Sequence, residues 1–452
     1  MASSASETPG TQRGVGQTIR TVTVHGSAFE CGKMYGEQVA PLIHRNLTAS
    51  TDRLRGIEQL WSTCMAIVNE VYIPGLQKYW PRGYEELSGM AEGADVDLDD
   101  LVLLNARDDL NQILPQVAHG DIWWEDIDPD DPRGYGKFLL GQRLIVNHIW
   151  QPDGDNCSSR ARRGVVLCPV KPERCPDECT TAFFLGPATQ NRNVISAQNW
   201  DKARRFDDPD FIINLEVQPT DDRPAMLITT EAGMLMGSGM NSAGMAVTWS
   251  SMKSQRDFVP VDHEDPQGNK IRCKPRPMLP FPFLRRMLLE GWNMKDVMDG
   301  FTEIPRHLSG NMTVADKHGT AFTLEIIPNE IYRVEPITVP FLLHTNHFLN
   351  HHSTYRIPGT ADRTNMLDSA RRLNAAEEEL VCPKFLGNVT PDRVVEIFSG
   401  HRQGPLSLCK HGREDDLSAV KTVAFVMYNL TKMEAFVCKG PPCSGVITKS
   451  DL

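Results

Sequence analysis

The chain has 452 residues, of which 40% are hydrophobic and 23% are charged, the ordinary balance of a folded globular protein. Its formal net charge is −11, with 58 acidic residues against 47 basic ones. This excess of acid argues against a general nucleic-acid-binding protein, which needs a basic surface to neutralise phosphates. The apolar runs fall far short of the ~20 residues that a membrane-spanning helix needs. We therefore expect neither nucleic acid nor a membrane among the partners.

The first 20 residues are polar, are rich in Ser, Thr and Gly, and lack the apolar core of a signal peptide. We predict a disordered tail over 1–20 and a cytoplasmic protein. The eleven cysteines are then expected to be mainly free thiols, because a reducing compartment disfavours disulfides.

The part of the chain before residue 110 has a mainly helical pattern. Residues 21–24 alternate as a short strand, and Ser27 and Glu30 form a capping-box pattern that predicts a helix through about residue 46. Further amphipathic helices are predicted at three places: 54–71, 84–91 and 98–108.

Residues 114–178 differ in character and are predicted to form a long exposed insertion. Residues 121–136 are acidic and interrupted by proline, and residues 151–178 carry Pro, Arg, Asp and three Cys. The acidic run could hold a cation, although a solvated loop is the commoner explanation of such a run.

From residue 179 the hydrophobic pattern alternates with a period of two, which is typical of strands. A second insertion, rich in charge and proline, is predicted over 253–280. Helices followed by many consecutive strands predict an α+β sandwich. The predicted strands are 181–185, 194–199, 211–217, 225–230, 245–250, 312–314, 321–327, 331–334, 342–345, 423–430 and 432–438, and the predicted helices are 281–290, 294–301 and 363–380.

Cys179 stands where the polar insertion meets the first of these strands. Taken alone, a Cys at a strand start is usually a small apolar core residue. Cys175 and Cys179 could also form a disulfide or half of a metal site, but we find no second Cys/His pair at ligand spacing and expect no zinc. Pairing of the next strand places Cys179 opposite Trp200 or Asp201, and a carboxylate there could hold an ammonium or orient a thiol.

Other motifs argue for little further chemistry. His344 and His347 have the spacing of a metal pair, but they lie at a predicted strand end without a third ligand. Ser242 stands where a dinucleotide-binding loop would have glycine, and a P-loop is absent. We therefore expect no metal and no cofactor.

Several short motifs follow one another in a fixed order. They are Leu-Asn-Ala-Arg at 104–107, Cys-Thr-Thr-Ala at 179–182, Gln-Asn-Trp-Asp at 198–201, Asn-Ser-Ala-Gly at 241–244 and Thr-Asn-His at 345–347. In this order they resemble the isopenicillin N acyltransferase family of N-terminal-nucleophile hydrolases. The resemblance spans most of the chain.

The resemblance implies a four-layer αββα sandwich, in which two stacked, mainly antiparallel sheets lie between helices. Residues 21–452 would form a single domain, with a helical segment over 21–178 and a sheet-rich segment over 179–452. A cut between Glu178 and Cys179 would turn these two segments into a heterodimer.

The resemblance also implies the chemistry. The Cys179 thiol would attack the carbonyl of Glu178 and release a new N-terminus, and would then act as nucleophile on a small-molecule amide or acyl donor. Its own α-amino group, with a pKa of ~7.7–8.0, would be the base. Asp201 would anchor the ammonium and the thiol, and Asn346 would donate to the oxyanion. Asn241 would help to hold the substrate carbonyl or the oxyanion water site.

Two departures from the family pattern keep an alternative open. Glu178 stands where the family usually has glycine, and no arginine aligns with the family's late arginine, for which Arg413 or Lys421 could stand in. Without the resemblance, Asn241 is a turn residue and Asn346 a strand-end cap. The alternative is therefore an uncleaved relative that acts as a binding or scaffold protein. The acyl group and the amine stay open among penicillin precursors, β-alanyl amines, N-acyl amino acids and small peptides.

Overall fold

The computed structural model describes the greater part of the chain. The predicted tail up to residue 17 and the acidic run 121–136 lie outside the described residues. These are 18–55, 58–119, 144–148, 177–204, 208, 210–254, 256–264, 269–336, 338–350, 363–380, 386–402, 404, 407–413, 415–416 and 419–452.

Most helices lie in the first part of the chain. The helices are α1 (Ala28–Arg55), α2 (Glu58–Ile67), α3 (Ile73–Tyr79), α4 (Pro81–Ala94), α5 (Leu98–Asn105), α6 (Arg107–His119), α7 (Phe281–Leu289), α8 (Met294–Phe301), α9 (Arg363–Leu380) and α10 (Pro391–Phe398). A π-helical turn, Val68–Tyr72, joins α2 to α3. None of the described helices is both long enough and apolar enough to cross a membrane.

The strands form two large sheets and one small hairpin. They are β1 (Arg20–Gly26), β2 (Leu144–His148), β3 (Asp177–Phe184), β4 (Ile195–Ala203), β5 (Ile212–Pro219), β6 (Met226–Glu231), β7 (Ser238–Asn241), β8 (Met245–Ser251), β9 (His263–Glu264), β10 (Lys270–Ile271), β11 (Gly310–Asp316), β12 (Ala321–Ile327), β13 (Glu330–Glu335), β14 (Phe341–His344), β15 (Val420–Asn429), β16 (Glu434–Lys439) and β17 (Ile447–Asp451).

The larger sheet has nine strands in the order β1-β5-β6-β7-β8-β11-β12-β13-β2, and the smaller has six in the order β14-β3-β4-β15-β16-β17. Only the two edge pairs of the larger sheet, β1 with β5 and β13 with β2, are parallel among the described pairs. Both sheets are therefore mainly antiparallel, as predicted.

Three apolar clusters define four layers. The first lies between the N-terminal helices and the nine-stranded sheet, the second between the two sheets, and the third between the six-stranded sheet and α9 and α10. Every residue of β4 is buried, as expected for a strand that is covered on both faces. The predicted α+β fold, an αββα sandwich, is confirmed.

Local sequence explains how the first helix begins and how closely it packs. The main-chain N–H of Ser27 donates to Glu30 Oε2 at 2.8 Å and that of Glu30 donates to Ser27 Oγ at 3.3 Å, which is the predicted capping box. A Cβ atom on Gly32 would lie 1.8 Å from the carbonyl oxygen of Glu86 in α4. Only glycine allows the backbones of α1 and α4 to approach so closely.

The structure differs from the sequence-based boundaries in three places. Helix α6 continues to His119, beyond the predicted start of an insertion at residue 114. Strand β3 begins at Asp177, so Cys179 is the third residue of the strand rather than its first. The predicted surface insertion 253–280 is partly core, because its apolar residues Phe258 and Val259 are buried in the cluster around the first helices. Charge and proline concealed these apolar positions in the sequence.

Candidate active site

The register of β3 and β4 decides where the predicted catalytic residues lie. Cys179 pairs with Trp200, and Glu178 pairs with Asp201. Directly opposed residues share a face of a sheet, and successive residues alternate between faces. Cys179 and Trp200 therefore face the nine-stranded sheet, whereas Glu178 and Asp201 face α9. Of the two predicted pairings, the structure has Trp200 opposite Cys179.

On the edge of β3 away from β4, the backbone of Cys179 is bonded to side chains rather than to a neighbouring strand. Strand β14 ends at His344, opposite Thr181 and two residues short of Cys179. Beyond that point the main-chain N–H of Cys179 donates to Asn346 Oδ1 at 3.0 Å, and Arg372 Nη1 donates to the carbonyl oxygen of Cys179 at 2.6 Å. Both polar main-chain groups of Cys179 are thus held by polar side chains.

The amide of Asn346 has a defined orientation. Its Oδ1 accepts from the Cys179 N–H and from Arg372 Nη2, the latter at 2.7 Å. Its Nδ2 donates to the carbonyl oxygen and to Oγ of Ser251 at 2.9 and 3.2 Å. Because an arginine and a main-chain N–H can only donate, the oxygen must face them. The donor side of the amide consequently faces the end of β8.

A buried group of charges lies on the α9 side of β3. Arg372 Nε is 3.2 Å from Asp368 Oδ2, and Lys410 Nζ is 3.0 Å from the same oxygen. Lys410 also forms an ion pair with Glu178, and Arg372 Nη2 lies 3.8 Å from Glu178 Oε2. A further bond of 3.0 Å joins Arg372 to Thr180 Oγ1. Two cations therefore hold the side chain of the residue that precedes Cys179.

The carboxyl groups here have perturbed acidity. Burial raises the pKa of Glu178 to about 7 and that of Asp201 to about 6, against the opposing charges of Lys410 and Arg372. Burial acts in the same direction on Asp368, but the Arg372 guanidinium outweighs it and lowers that pKa to about 2. Among these three carboxyls, Glu178 and Asp201 therefore have the pKa values closest to neutral pH.

Asp201 is incompletely bonded. Its Oδ1 accepts from Thr422 Oγ1 at 2.6 Å. Its Oδ2 is buried and has no hydrogen-bond partner among the residues that the structure describes. A buried acceptor without a partner costs about 1–3 kcal/mol, so this oxygen of Asp201 is available to a new donor.

A pocket lies on the other side of the sheet, the side that Cys179 faces, although Cys179 is not one of its lining residues. Asp108, Trp249, Ser251 and Arg285 are among its lining residues. The Arg285 guanidinium lies over the Trp249 ring, 3.8 Å from its centroid. Burial lowers the pKa of Arg285 to about 10, while Asp108 and the Cys179 thiolate act in the opposite direction. A charged arginine therefore stands within electrostatic reach of the thiol.

Asn241 is not brought together with Cys179. It ends β7, and its Nδ2 donates to the carbonyl oxygens of Leu289 and Gly291 at 2.8 and 2.9 Å. Its Oδ1 accepts from the main-chain N–H of Met245 at 3.0 Å. It lies at the end of β8 remote from Ser251, ~20 Å away along a seven-residue strand. The turn explanation fits this geometry, because each polar atom of the side chain serves the β7–β8 connection or α7.

Neither residue suggested for the late arginine occupies the site. Arg413 pairs with the exposed Asp415, and Lys421 lies in β15 opposite Lys202. Arg372, which the sequence analysis did not single out, lies beside Cys179 and Asn346 instead. The available signal was the acid–arginine pair at i and i+4, Asp368 and Arg372, on the buried face of an amphipathic helix.

His344 and His347 serve as hydrogen-bonding residues rather than as a metal pair. His344 Nε2 is 2.9 Å from Glu325 Oε1, and His347 Nδ1 is 2.6 Å from Ser369 Oγ. Burial lowers the pKa of His347 to about 3, so it is neutral. Ser369 also accepts from the main-chain N–H of Asn346 at 2.8 Å, which ties the asparagine to α9.

Comparison with known proteins identifies a family and similar proteins for this chain. Residues 189–443 match the family described as acyl-coenzyme A:6-aminopenicillanic acid acyl-transferase. The 40 kDa form of acyl-coenzyme A:6-aminopenicillanic-acid-acyltransferase from Emericella nidulans is 22% identical over 422 residues, which are 93% of this chain and 92% of that protein.

Two solved structures are similar at low identity. An N-acylethanolamine-hydrolyzing acid amidase ortholog from Caenorhabditis elegans has 14% identity and a TM-score of 0.37, covering 56% of this chain and 93% of its own. Penicillin V acylase from Agrobacterium tumefaciens has 14% identity and a TM-score of 0.35, covering 61% of this chain and 86% of its own. The family match covers more than half of the chain and agrees with the ordered motifs. The chain belongs to the acyl-coenzyme A:6-aminopenicillanic acid acyl-transferase family of enzymes.

Proposed function

We propose that this enzyme is an N-terminal-nucleophile amidohydrolase or acyltransferase that cuts itself before Cys179 and then carries an acyl group on the Cys179 thiol. One observation carries the proposal. The main-chain N–H and C=O of Cys179 are held by two polar side chains, Asn346 and Arg372, and the residue faces the side of the sheet on which the pocket with Ser251 and Arg285 lies. A cysteine that only fills space in the core does not need side chains bonded to its main-chain N–H and C=O.

The first step would be an acyl shift. The Cys179 thiolate attacks the carbonyl carbon of Glu178, the bond from that carbon to the Cys179 nitrogen breaks, and the nitrogen takes up the thiol proton. Water then hydrolyses the thioester, which gives a Glu178 carboxylate and a free amine and thiol on Cys179. The ion pairs of Glu178 with Lys410 and Arg372 support this step, because they fix the residue whose carbonyl is attacked.

The new amine would have partners ready. Asn346 Oδ1 already accepts from the Cys179 nitrogen at 3.0 Å. The unpartnered Oδ2 of Asp201 lies opposite the strand position that Glu178 vacates. A carboxylate there can stabilise an ammonium, which explains why a buried oxygen is left without a donor in the uncut chain. This is the anchoring role that the resemblance implies for Asp201.

In turnover the amine would take the thiol proton, and the thiolate would attack the carbonyl of a small amide. The oxyanion would replace Ser251 Oγ as the second acceptor of Asn346 Nδ2, the longer of the two present bonds. The amine then returns its proton to the leaving nitrogen. Water or an acceptor amine finally takes the acyl group from the thioester.

The charged residues of the pocket indicate which chemical groups the substrate carries. Asp108 and Arg285 bring charge to the space beside Ser251, so an amide with a charged or hydrogen-bonding group near the reacting carbonyl fits better than an entirely apolar one. The named relatives act on 6-aminopenicillanic acid and on N-acylethanolamines. We propose a small-molecule amide of this size class as the substrate, with residues 21–178 and 179–452 forming the two subunits after the cut.

Mass spectrometry of the purified chain, followed over time, tests the cut. We expect fragments 1–178 and 179–452 from the natural protein and from Cys273→Ser, a control at a half-buried cysteine outside the site. Cys179→Ala should stay intact and inactive in a panel of amides read by released amine. An intact natural chain with full amidase activity would show that the N-terminal-amine mechanism is wrong.

An uncleaved binding or scaffold protein is the second candidate. Glu178 favours it, because it stands where the family usually has glycine, a residue that tolerates the strained geometry of an acyl shift. A thiol-reactive acyl probe separates the two functions. Selective labelling of Cys179 in the natural chain, absent in Cys179→Ala, would exclude the scaffold function.

A further inference from the structure

A second cluster of reactive side chains lies between the segment after α10 and the connection from β16 to β17. It consists of His401, Cys409, His411 and Cys443, whose ligand atoms all lie within 4.8 Å of one another. We propose that these four residues form a tetrahedral Zn²⁺ site of the Cys₂His₂ type. The sequence analysis expected no metal, and the catalytic proposal does not use these residues.

Four distances between the ligand atoms lie within about 0.4 Å of those in a zinc tetrahedron. Bonds of about 2.3 Å to sulfur and 2.0–2.1 Å to nitrogen place two sulfurs about 3.8 Å apart, a sulfur and a nitrogen about 3.6 Å apart, and two nitrogens about 3.4 Å apart. The two Sγ atoms of Cys409 and Cys443 are 3.6 Å apart. His411 Nε2 lies 3.9 Å from Cys409 Sγ and 3.3 Å from Cys443 Sγ. The Nε2 atoms of His401 and His411 are 3.0 Å apart.

The donor set selects the ion. Thiolate and imidazole ligands in a tetrahedron favour Zn²⁺, whereas Mg²⁺ and Ca²⁺ prefer oxygen ligands. Four protein ligands complete the coordination and leave no position for water, which is the pattern of a structural rather than a catalytic zinc site. The two imidazole rings bring their Nε2 atoms to 3.0 Å from each other, so that one cation can take a ligand from each ring.

The site has a clear mechanical role. It fastens the segment that carries His401, Cys409 and His411 to the β16–β17 connection that carries Cys443. Cys409 is buried and His401 is exposed, so an ion can enter from solvent and close an interior contact. Ligands that are distant in sequence gain most from such a fastening, because the metal closes a long loop.

Metal analysis of the full-length protein tests the proposal. After incubation with zinc and desalting, we expect about one zinc ion per chain, released when a mercurial modifies the thiols. Cys443→Ser and His411→Ala should lose most of the zinc. The matched controls Cys273→Ser and His318→Ala, at a cysteine and an exposed histidine outside the cluster, should retain it. Cys179→Ala should retain it as well, which separates this result from catalysis.

Cobalt substitution gives an independent readout that needs no variant. The Co²⁺-loaded protein should show the visible absorption of tetrahedral Co²⁺ and the thiolate-to-metal charge transfer band. Removal of zinc should lower the melting temperature by several degrees, reversibly on zinc addition. Less than a tenth of an ion per chain after zinc incubation, full zinc content in Cys443→Ser, or a Cys409–Cys443 disulfide in the zinc-incubated protein would each overturn the proposal.

Discussion

Arg372 reaches from the middle of α9 to the main-chain carbonyl oxygen of Cys179, with a donor–acceptor distance of 2.6 Å. The same guanidinium donates to Asn346 Oδ1 at 2.7 Å. One rigid, planar group therefore sets the position of the proposed nucleophile relative to the proposed oxyanion donor. Since all three residues are buried or partly buried, the geometry is protected from competing water.

Arg372→Gln should abolish most of the function. Glutamine keeps a polar group but removes the charge beside Glu178 and Asp368, and it cannot reach three acceptors at once. We expect self-cleavage and kcat each to fall by about 10²-fold or more. The exposed neighbour gives the control, Arg371→Gln, which should behave as the natural protein. Time-resolved mass spectrometry measures self-cleavage, and steady-state kinetics measure kcat. Unchanged rates in Arg372→Gln would show that Arg372 contributes to neither reaction.

Asn346→Asp tests the oxyanion role. The variant keeps the size of the side chain but loses the Nδ2 donor that faces Ser251. We expect kcat to fall by about 10²–10³-fold with little change in KM, because the lost bond strengthens only in the transition state. A rise in KM with an unchanged kcat would instead assign Asn346 to substrate binding.

Asn241→Ala should damage stability and spare catalysis. It removes two donors to carbonyl oxygens and leaves the Met245 N–H without its acceptor. We expect the free energy of unfolding to fall by about 1–3 kcal/mol, measured by denaturant titration. The kcat of the folded fraction should be unchanged. A hundredfold loss of kcat at unchanged stability would restore the catalytic role that the motif suggested.

His307 makes stability depend on pH. Its Nδ1 lies 2.8 Å from the carbonyl oxygen of Phe258 and its Nε2 lies 2.7 Å from Tyr72 Oη, so the neutral ring is fully bonded. Burial lowers its pKa from 6.5 to about 4. As the pH falls below 6.5 the unfolded chain takes up a proton that the folded chain refuses, and stability is lost between pH 6.5 and about 4.

The natural protein should therefore lose about 2 kcal/mol of unfolding free energy between about pH 7 and 5 relative to His307→Gln. The comparison with this variant is needed because buried carboxyls such as Asp109, with a pKa raised to about 7 by burial, titrate with the opposite sign. Denaturant titrations of both proteins at several pH values give the difference. Parallel curves would show that His307 does not titrate on unfolding.

Features that depend on neighbouring residues could be predicted from the sequence, whereas contacts between residues distant in sequence could not. The capping box of Ser27 and Glu30 could be predicted because both partners lie within one helical turn. The faces of Cys179 and Asp201 could not be separated, because a slip of one residue in a hairpin exchanges the two faces of a strand. Motif order was enough to predict the family and the αββα fold.

Neither the position of Arg372 nor the proposed Zn²⁺ site could be predicted from the sequence. The amphipathic pattern of α9 marks a buried face, but nothing local says that this face meets Cys179, 193 residues earlier. Cys409 and Cys443 are 34 residues apart, outside any familiar ligand spacing, and meet only because β15 and β16 turn the chain back. Such contacts follow from sheet topology rather than from any short pattern.

Successive side chains of β3 point to opposite faces of the six-stranded sheet and meet different surroundings there. Glu178 and Thr180 face the cations of the α9 side, whereas Cys179 and Thr181 face the other sheet, where Thr181 Oγ1 lies 3.1 Å from Thr313 Oγ1. Substitutions along this strand should consequently sort by odd and even position. Under the proposed mechanism, substitutions at positions 178 and 180 should change the rate of self-cleavage, whereas Cys179 is required for both self-cleavage and turnover. Selection on the rate of self-cleavage could then act at positions 178 and 180 without changing the nucleophile between them.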